Sequence, residues 1–498
     1  MRVALAFSRA MLDHDEEPLA AYPPDEVPPA DGADAAAPAA AAASAAPAAG
    51  VVAVAAPEHL PFPLRVHPER SDRLRAIAGL LVARGLWARM LRVREREASP
   101  REVAWAADAQ QAAAVAAQVE AASPALREGK ALAGAAAAAA AEADDEAALA
   151  DALAALSAVS SPHVPDGEEG ERIGDLFFSP ATGVAARTAL ASVLDVTRAV
   201  LAGRAQRGLA LVRPPGHHAS CMRSAGFCVF NNVAAAAKMA LAEGAAGRVV
   251  IVDWDVHHGD GTERVFFADP RVLYVSIHRY DEGRFYPASG HAARAGSGAG
   301  AGYSMNIALN GRWFGDTDYK FIFEMVVMPV LRSFAPQLVL VSCGFDAARG
   351  DPLGNFDLTP QGYSHMTAEL CSLGAPLVVA LEGGYNLAAI SVGAEAVARV
   401  LLGEAPLPLA VGAGANSARD RDIARRREAC GGCNAGHCDA CEVADAVGGG
   451  RVRAATFRAV REIARVHAAH WPVLRAQATD GASPLEGCGS EGGGDALV

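Results

Sequence analysis

The sequence lacks several features that would each have pointed to a class of protein. No stretch of about twenty strongly apolar residues runs without polar interruption, so the sequence predicts no membrane span. Lysine and arginine (44) are outnumbered by aspartate and glutamate (57), and the formal net charge is −13. Proteins that bind nucleic acid usually carry a basic patch or stripe, so this balance argues against a general nucleic-acid binder. No block of lysine and arginine resembles a nuclear targeting signal.

Cysteine is sparse, and its usage excludes a domain held together by disulfides. The nine cysteines are an odd number, and most lie within apparent core segments, which is typical of a reducing compartment. Met1–Met11 is too short for a secretory signal and is better interpreted as a first strand, while a transit peptide stays an open alternative. We therefore expect the protein in the nucleus, the cytoplasm or both.

Low-complexity stretches interrupt what we interpret as one large catalytic domain, residues 1–474. The interruptions are 16–56, 120–170 and 404–450, and a glycine-rich tail follows at 475–498. Segment 16–56 is rich in proline, alanine and acidic residues, with no apolar period, and cannot bury enough apolar surface to order itself. We expect these insertions and the tail to be disordered, although the alanine run within 120–170 also allows a helix.

Between the insertions, continuous apolar runs alternate with helical patterns. The runs are 208–212, 248–252, 272–277, 338–342 and 377–381. Such runs suit strands that are buried on both faces of a parallel sheet. The helical patterns are 185–201, 232–241, 319–334, 359–372 and 388–402. The alternation predicts an α/β fold with a single, mostly parallel sheet and helices on both faces.

Chemically active side chains follow the predicted strands, where ligands bind in such folds. Asp255 and His257 are two residues apart, so in extended backbone both leave the same face and can chelate one ion. Asp346, from another strand end, would complete a site with open positions, as a catalytic zinc requires. Such an ion polarises a substrate carbonyl and acidifies bound water. The alternative, that these residues merely cap the following helices, explains any one of them better than the whole set.

A histidine pair and a tyrosine follow two further strands. His217 and His218 are adjacent, so one imidazole can reach the attacking water and the other the leaving nitrogen. Asp253 and Asp260 are available to orient them, as in other histidine catalysis. Tyr385 follows two glycines and can donate a hydrogen bond to a developing oxyanion. A structural histidine pair and a core tyrosine are the alternatives.

These segments together resemble the histone deacetylase family, which has the arginase/deacetylase fold. The motifs are RPPGHHA (213–219), GFCVFNN (226–232), DWDVHHGDGT (253–262), SIHRYDEGRFYP (276–287), CGFDAARGDPLG (343–354) and LEGGYN (381–386). The segments MLDH (11–14), HPER (67–70) and VREIARVHAAHWPVL (460–474) resemble the beginning and the end of the domain. The resemblance covers almost the whole chain, and the sequences of the motifs are closer to class II than to class I.

The resemblance implies a role for each site residue. The zinc ligands would be Asp255, His257 and Asp346. The catalytic residues would be His217, His218, Asp253, Asp260 and Tyr385. Phe227 and Tyr286 would wall a tunnel for acyl-lysine, with Gly226 at its lip. A structural potassium ion is implied near Asp253, Asp255, His257 and Ser276.

The sequence departs from the family pattern at three places. Class II members usually have asparagine at Asp260, so His218 would hold its proton more tightly; which histidine is the base stays open. Tyr286 stands where phenylalanine is usual, and its hydroxyl can narrow or hydrate the tunnel. Segment 104–111 lacks a histidine that the family often has there, which we interpret as a matter of packing.

Two closely spaced CxxC pairs lie in the insertion 404–450. They are formed by Cys430, Cys433, Cys438 and Cys441. Such pairs can hold a second, structural zinc, but the spacer of four residues is short and the flanks are glycine. A redox-accessible segment without metal is the alternative.

The resemblance implies hydrolysis of acetyl-lysine in histones or other proteins, with acetylated protein tails and a corepressor complex as partners. An acetylpolyamine or other small amide is the alternative substrate. A non-catalytic scaffold is a third interpretation, against which Tyr385 argues, since its loss marks weakly active branches of the family. A dimanganese ureohydrolase is excluded because the sequence has only one carboxylate–histidine–carboxylate set.

Overall fold

The computed structural model describes most of the predicted catalytic domain. The described residues are 1–12, 67–121, 176, 178–179, 181–409, 442–444 and 451–478. Most of the predicted insertions and tail, and all four cysteines of the CxxC pairs, lie outside these residues. The predictions made for them stay predictions.

Eight strands form one sheet in which every neighbouring pair is parallel. In chain order they are β1 (Val3–Ala6), β2 (Leu91–Arg92), β3 (Arg207–Ala210), β4 (Val249–Asp253), β5 (Val272–Arg279), β6 (Ser304–Leu309), β7 (Leu338–Cys343) and β8 (Leu377–Leu381). Their order in space is β2-β1-β3-β8-β7-β4-β5-β6. The predicted fold class is confirmed. A two-stranded antiparallel ribbon, β9 (Glu442–Ala444) and β10 (Arg451–Arg453), lies apart from this sheet.

Helices surround the sheet and bury its apolar strands. They are α1 (Asp72–Ala83), α2 (Pro100–Ala106), α3 (Ala109–Ala121), α4 (Thr182–Leu201), α5 (Asn232–Ala242), α6 (Asp260–Phe266), α7 (Asp316–Ile322), α8 (Met328–Phe334), α9 (Pro360–Ser372), α10 (Leu387–Leu401), α11 (Ala454–His467) and α12 (Arg475–Ala478). Helix α10 packs against both α1 and α9, and α4 packs against α5. Every residue of β4, β5, β7 and β8 is buried, as continuous apolar runs predict for a parallel sheet. None of the helices within the described residues is long and apolar enough to cross a membrane.

The helix predicted over residues 319–334 differs from the observed one. It consists of α7, a π-helical turn at Phe323–Val327, and α8. Pro329 lies at the start of α8, where its ring would clash with a carbonyl one turn earlier in a continuous α-helix. The wider π turn accommodates that proline.

The edge strand β6 is absent from the predicted runs because polar residues interrupt it. Asn306, in its middle, is buried and donates from Nδ2 to Glu263 Oε1 at 2.6 Å. Ser304 Oγ donates to the same oxygen at 3.1 Å. Buried polar groups that are hydrogen-bonded are tolerated in a strand, but they remove the apolar pattern that identifies one.

A buried charge cluster ties the start of α1 to the loop that follows β3. The carboxylate of Glu69 accepts two hydrogen bonds from Arg213, from Nε and Nη2, both at 2.8 Å. It also accepts one from Arg73 Nη1 at 3.0 Å. All three side chains are essentially inaccessible to solvent. The carboxylate therefore compensates two buried guanidinium groups.

We expect Glu69→Gln to lower the free energy of unfolding by about 3–5 kcal/mol, because it leaves two arginines buried with no carboxylate between them. Urea denaturation followed by circular dichroism measures this change. Glu404→Gln is the matched control, since Glu404 pairs with Arg89 at a site where both are substantially exposed. Exposed pairs contribute about 0–1 kcal/mol. Equal losses in the two variants would contradict the prediction.

Candidate active site

The carboxyl ends of four central strands bring the predicted site residues to one edge of the sheet. Strands β3, β8, β7 and β4 are consecutive neighbours. The histidine pair follows β3, Tyr385 follows β8, Asp346 follows β7, and Asp255 follows β4. Residues that are far apart in sequence therefore meet because their strands are adjacent.

Two carboxylates and one imidazole form a compact group at this edge. His257 Nδ1 lies 3.0 Å from Asp255 Oδ1 and 3.0 Å from Asp346 Oδ2. One ligand atom from each residue lies within 4.8 Å of the others. Backbone amides hold the remaining oxygens: Val256 N donates to Asp346 Oδ1 and Gly383 N to Asp255 Oδ2, both at 2.8 Å.

The electrostatics of this group fit a bound cation. Both carboxylates are fully buried. Burial, and repulsion from Asp255, raise the pKa of Asp346 to about 6. Burial alone would lower the pKa of His257, but the two carboxylates outweigh it and raise that pKa to about 9. The site thus needs positive charge between its carboxylates. Two oxygens and one imidazole nitrogen form a donor set that suits a divalent metal ion such as zinc.

Each histidine of the pair is held by its own carboxylate. His217 Nδ1 lies 3.1 Å from Asp253 Oδ2, and His218 Nδ1 lies 3.0 Å from Asp260 Oδ1. Since a carboxylate only accepts hydrogen bonds, each Nδ1 carries the proton and each Nε2 is directed away from its carboxylate. His217 Nε2 lies 3.8 Å from Asp255 Oδ1. It therefore faces the group of Asp255, His257 and Asp346, which we call the metal group.

The two imidazoles differ in basicity although their rings lie only 4.0 Å apart. Burial opposes a charge on His217, but Asp255 and Asp253 raise its pKa well above the ordinary value. Burial and the neighbouring His217 lower the pKa of His218 to about 4, although Asp260 opposes this. The pair therefore divides into a more basic and a less basic imidazole.

A second cluster lies behind the histidine pair, where His217, Cys228 and Glu382 place ligand atoms within 4.8 Å of one another. The oxygens of Glu382 already accept hydrogen bonds from Gly216 N (2.6 Å), His217 N (3.1 Å) and Ser342 Oγ (3.1 Å). Burial raises the pKa of the Cys228 thiol well above its usual value, which disfavours the thiolate that metals prefer. We therefore interpret Glu382 as an acceptor that orients the backbone of His217.

Tyr385 is buried beside the metal group. Its ring lies 5.8 Å from that of Phe227, and the Arg73 guanidinium lies 5.0 Å from its centroid. Burial raises the pKa of Tyr385 well above 10; Arg73 opposes the shift, and the carboxylates of Asp346 and Asp255 add to it. The phenol therefore stays protonated and remains a hydrogen-bond donor at neutral pH.

The aromatic side chains of Tyr286 and Phe227 flank the approach to the site. The Tyr286 ring lies 5.0 Å from that of His218 and is 40% exposed. A Cβ atom at Gly226 would lie 2.4 Å from His218 Cδ2 and 2.9 Å from the Tyr286 hydroxyl, so only glycine fits there. Phe227 follows in the left-handed region, at φ 66°. Phe285 stacks on His257 with ring centroids 5.1 Å apart.

The structure also includes site residues that the sequence did not identify: Glu69, Arg73, Phe285, Asp351 and Glu382. Of these, Glu382 directly follows β8. Glu69, Phe285 and Asp351 lie within segments that resemble family motifs, and Arg73 had no such signal. Ser276, predicted near a potassium ion, is buried and is the ladder partner of Asp253. Its Oγ lies 2.9 Å from His278 Nδ1.

Several known proteins are similar to this chain. The family model described as "Histone deacetylase domain" matches residues 67–401. Histone deacetylase 15 of Arabidopsis thaliana is 50% identical over 240 residues, which is 47% of this chain and 43% of that protein. Histone deacetylase clr3 of Schizosaccharomyces pombe is 48% identical over 242 residues, 47% of this chain and 35% of that protein. The matches thus span less than half the length of these relatives.

A solved structure is similar along nearly the whole chain. The crystal structure of the HDA15 HD domain is 31% identical and has a TM-score of 0.64, with 96% of this chain and 97% of that one covered. The family model matches more than half of the chain and includes the histidine pair, the metal group and Tyr385. This protein belongs to the histone deacetylase family.

Proposed function

We propose that the protein hydrolyses the acetyl amide of N6-acetyl-lysine in histones or other proteins and releases acetate. The observation that carries this proposal is the convergence, at one edge of the sheet, of two carboxylate-backed histidines with a buried carboxylate–histidine–carboxylate group. The names of the relatives support the same substrate class.

The proposed ligands of a catalytic zinc ion are Asp255, His257 and Asp346. Three protein ligands leave open the positions that a catalytic zinc needs. When bound, zinc supplies polarisation of the substrate carbonyl and a lower pKa for a coordinated water. A potassium ion is proposed near Asp253 and Ser276, which pair between β4 and β5, because the family resemblance implies one there.

The histidine pair would move the protons of the reaction. Asp253 and Asp260 fix Nδ1–H on His217 and His218, so both Nε2 atoms are available for proton exchange. One imidazole, unprotonated at Nε2, accepts a proton from the attacking water. The other, protonated at both nitrogens, gives its Nε2 proton to the lysine nitrogen as the C–N bond breaks, and transfer of a proton between the two restores the starting state. The products are acetate and a free amine.

Tyr385 would stabilise the carbonyl oxygen as negative charge develops on it. Because its phenol stays protonated, it can donate a hydrogen bond that strengthens towards the transition state. Phe227 and Tyr286 would enclose the aliphatic part of the acyl-lysine. The Tyr286 hydroxyl, close to Gly226, would narrow that passage.

The broader role proposed is regulation of chromatin and transcription by removal of acetyl groups from protein tails. A corepressor complex is the proposed assembly, and the nucleus or the cytoplasm the proposed compartment. These proposals rest on the family alone.

The direct test compares an acetylated histone peptide with N-acetylspermidine as substrate of the purified full chain, and measures acetate release. We expect turnover of the peptide that stops after chelator treatment and returns with zinc. Turnover of acetylspermidine alone would assign a polyamine substrate. Absence of turnover on both, in protein shown to contain zinc, would favour a scaffold.

We expect Asp346→Asn to weaken zinc binding by more than the 10–100-fold that loss of an outer hydrogen-bond partner costs, because it removes a direct ligand. Elemental analysis after dialysis against a buffered zinc concentration measures occupancy. Asp357→Asn is the control, since that carboxylate pairs with Arg349 at 2.6 Å and is not in the metal group. Full zinc occupancy in Asp346→Asn would refute the ligand assignment.

We expect Tyr385→Phe to lower kcat by about 10²–10³-fold, because it removes a donor to the developing oxyanion while keeping the ring. Zinc content and KM should change little. Steady-state kinetics on the acetylated peptide, together with elemental analysis, make the measurement. Near wild-type kcat on every acetylated substrate would show that the tyrosine is only structural.

A further inference from the structure

Hydrogen bonds join the turn that carries Tyr385 to the loop that carries Asp346. We call residues 383–386 the tyrosine turn and residues 346–354 the aspartate loop. Tyr385 N donates to Asp351 Oδ2 at 2.8 Å, and Asn386 Nδ2 donates to Gly350 O at 2.9 Å. Just before the aspartate loop, Phe345 N donates to Gly383 O at 3.0 Å. The proposed oxyanion donor and a proposed metal ligand are therefore connected directly.

Asp351 supplies the carboxyl group of this connection. It is only 5% exposed, and its carboxylate accepts hydrogen bonds from three backbone amides. Oδ1 accepts from Leu353 N (2.8 Å) and Gly354 N (3.2 Å), both within its own loop. Oδ2 accepts from Tyr385 N alone. This hydrogen bond holds the backbone of the tyrosine turn against the aspartate loop.

The tyrosine turn needs such a restraint because two glycines precede Tyr385. Gly384 has φ +116°, a conformation that only glycine adopts readily, and it has no side chain with which to pack. A Cβ there would lie 2.8 Å from Phe345 Cβ, so the turn also approaches its neighbours closely. Arg73 Nε holds one side of the turn by donating to Gly384 O at 2.6 Å. Asp351 holds the other side.

We propose that Asp351 is a positioning residue for Tyr385: its carboxylate fixes the tyrosine backbone so that the phenol meets the substrate carbonyl held beside Asp346. This inference rests on the proposed function. Asp351 itself touches no reacting atom. Its effect on catalysis passes through the Tyr385 hydroxyl and disappears when that hydroxyl is absent.

Asp351→Asn tests the proposal with almost no change in shape. An asparagine has only one acceptor oxygen. Two amides of the aspartate loop donate to that oxygen and keep it on their side, so the NH₂ group faces Tyr385 N–H. We expect kcat to fall by about 10–100-fold, since a 1 Å displacement of a catalytic group can cost about 10²-fold. KM and zinc content should stay near the wild-type values.

A double-mutant cycle separates positioning from general damage. In the Tyr385→Phe background, Asp351→Asn should cause little further loss of kcat, because the hydroxyl that Asp351 positions is already gone. Loss of the same factor in both backgrounds, or no loss in either, would overturn the proposal. Asp269→Asn, which changes a carboxylate that pairs with Arg271 at 2.6 Å just before the start of β5, should leave kcat unchanged.

Hydrogen exchange gives a readout that does not depend on activity. In Asp351→Asn, the amide of Tyr385 should exchange about tenfold faster or more, since it has lost its hydrogen-bond acceptor. Unchanged protection would overturn the proposal. If wild-type protein deacetylates nothing, the proposed function fails, while exchange still decides whether Asp351 holds the turn.

A second variant covers the case in which Asp351→Asn does not fold. Asn386→Asp keeps the oxygen that accepts from Ala388 N and Ala389 N at the start of α10, and it replaces the donor to Gly350 O by an oxygen that repels that carbonyl. Aspartate is as good as asparagine at a helix N-cap. We expect a smaller fall in kcat that again vanishes with Tyr385→Phe; a fall that persists there would count against the proposal.

Discussion

The carboxylates of Asp255 and Asp346 are buried side by side at the ends of β4 and β7. The rest of the site compensates for the electrostatic repulsion between them. Two negative charges so close in a low-dielectric interior are unfavourable unless positive charge and hydrogen-bond donors surround them. His257 lies between them, and backbone amides of Val256 and Gly383 donate to the outer oxygens. The tyrosine turn lies at the metal group for the same reason, since its first amide is one of those donors.

Most of the sheet could be predicted from the sequence because its strands are buried on both faces. The five apolar runs became β3, β4, β5, β7 and β8, with ends shifted by a few residues at most. The polar residues of β6 and the two-residue length of β2 conceal those strands from any apolar pattern. The π turn before Pro329 accommodates the ring of that one proline. Hydrophobic periodicity does not predict such a local change in a helix.

The directly reacting side chains could be proposed from sequence because each follows a strand and has distinctive chemistry. The residues that support them could not, because their partners are mainly backbone groups or charges far along the chain. Asp351 contacts an amide 34 residues away, and Arg73 a carbonyl 311 residues away. Glutamate and arginine are common surface residues, so the amino-acid sequence does not indicate that Glu69 and Arg213 form a buried pair. Family resemblance, and no physical pattern, supplied Phe227 and Tyr286 as proposed tunnel residues.

The position of β8 in the sheet has a consequence for how the protein matures. It pairs with β3 on one side and β7 on the other, yet it comes after both in the chain. Until residues 377–381 emerge from the ribosome, β2-β1-β3 and β7-β4-β5-β6 share no hydrogen-bonded edge. The histidine pair belongs to the first block and the metal group to the second. The sheet is therefore continuous only once this late strand has paired on both sides, and the same step brings Tyr385 to the histidine pair and the metal group.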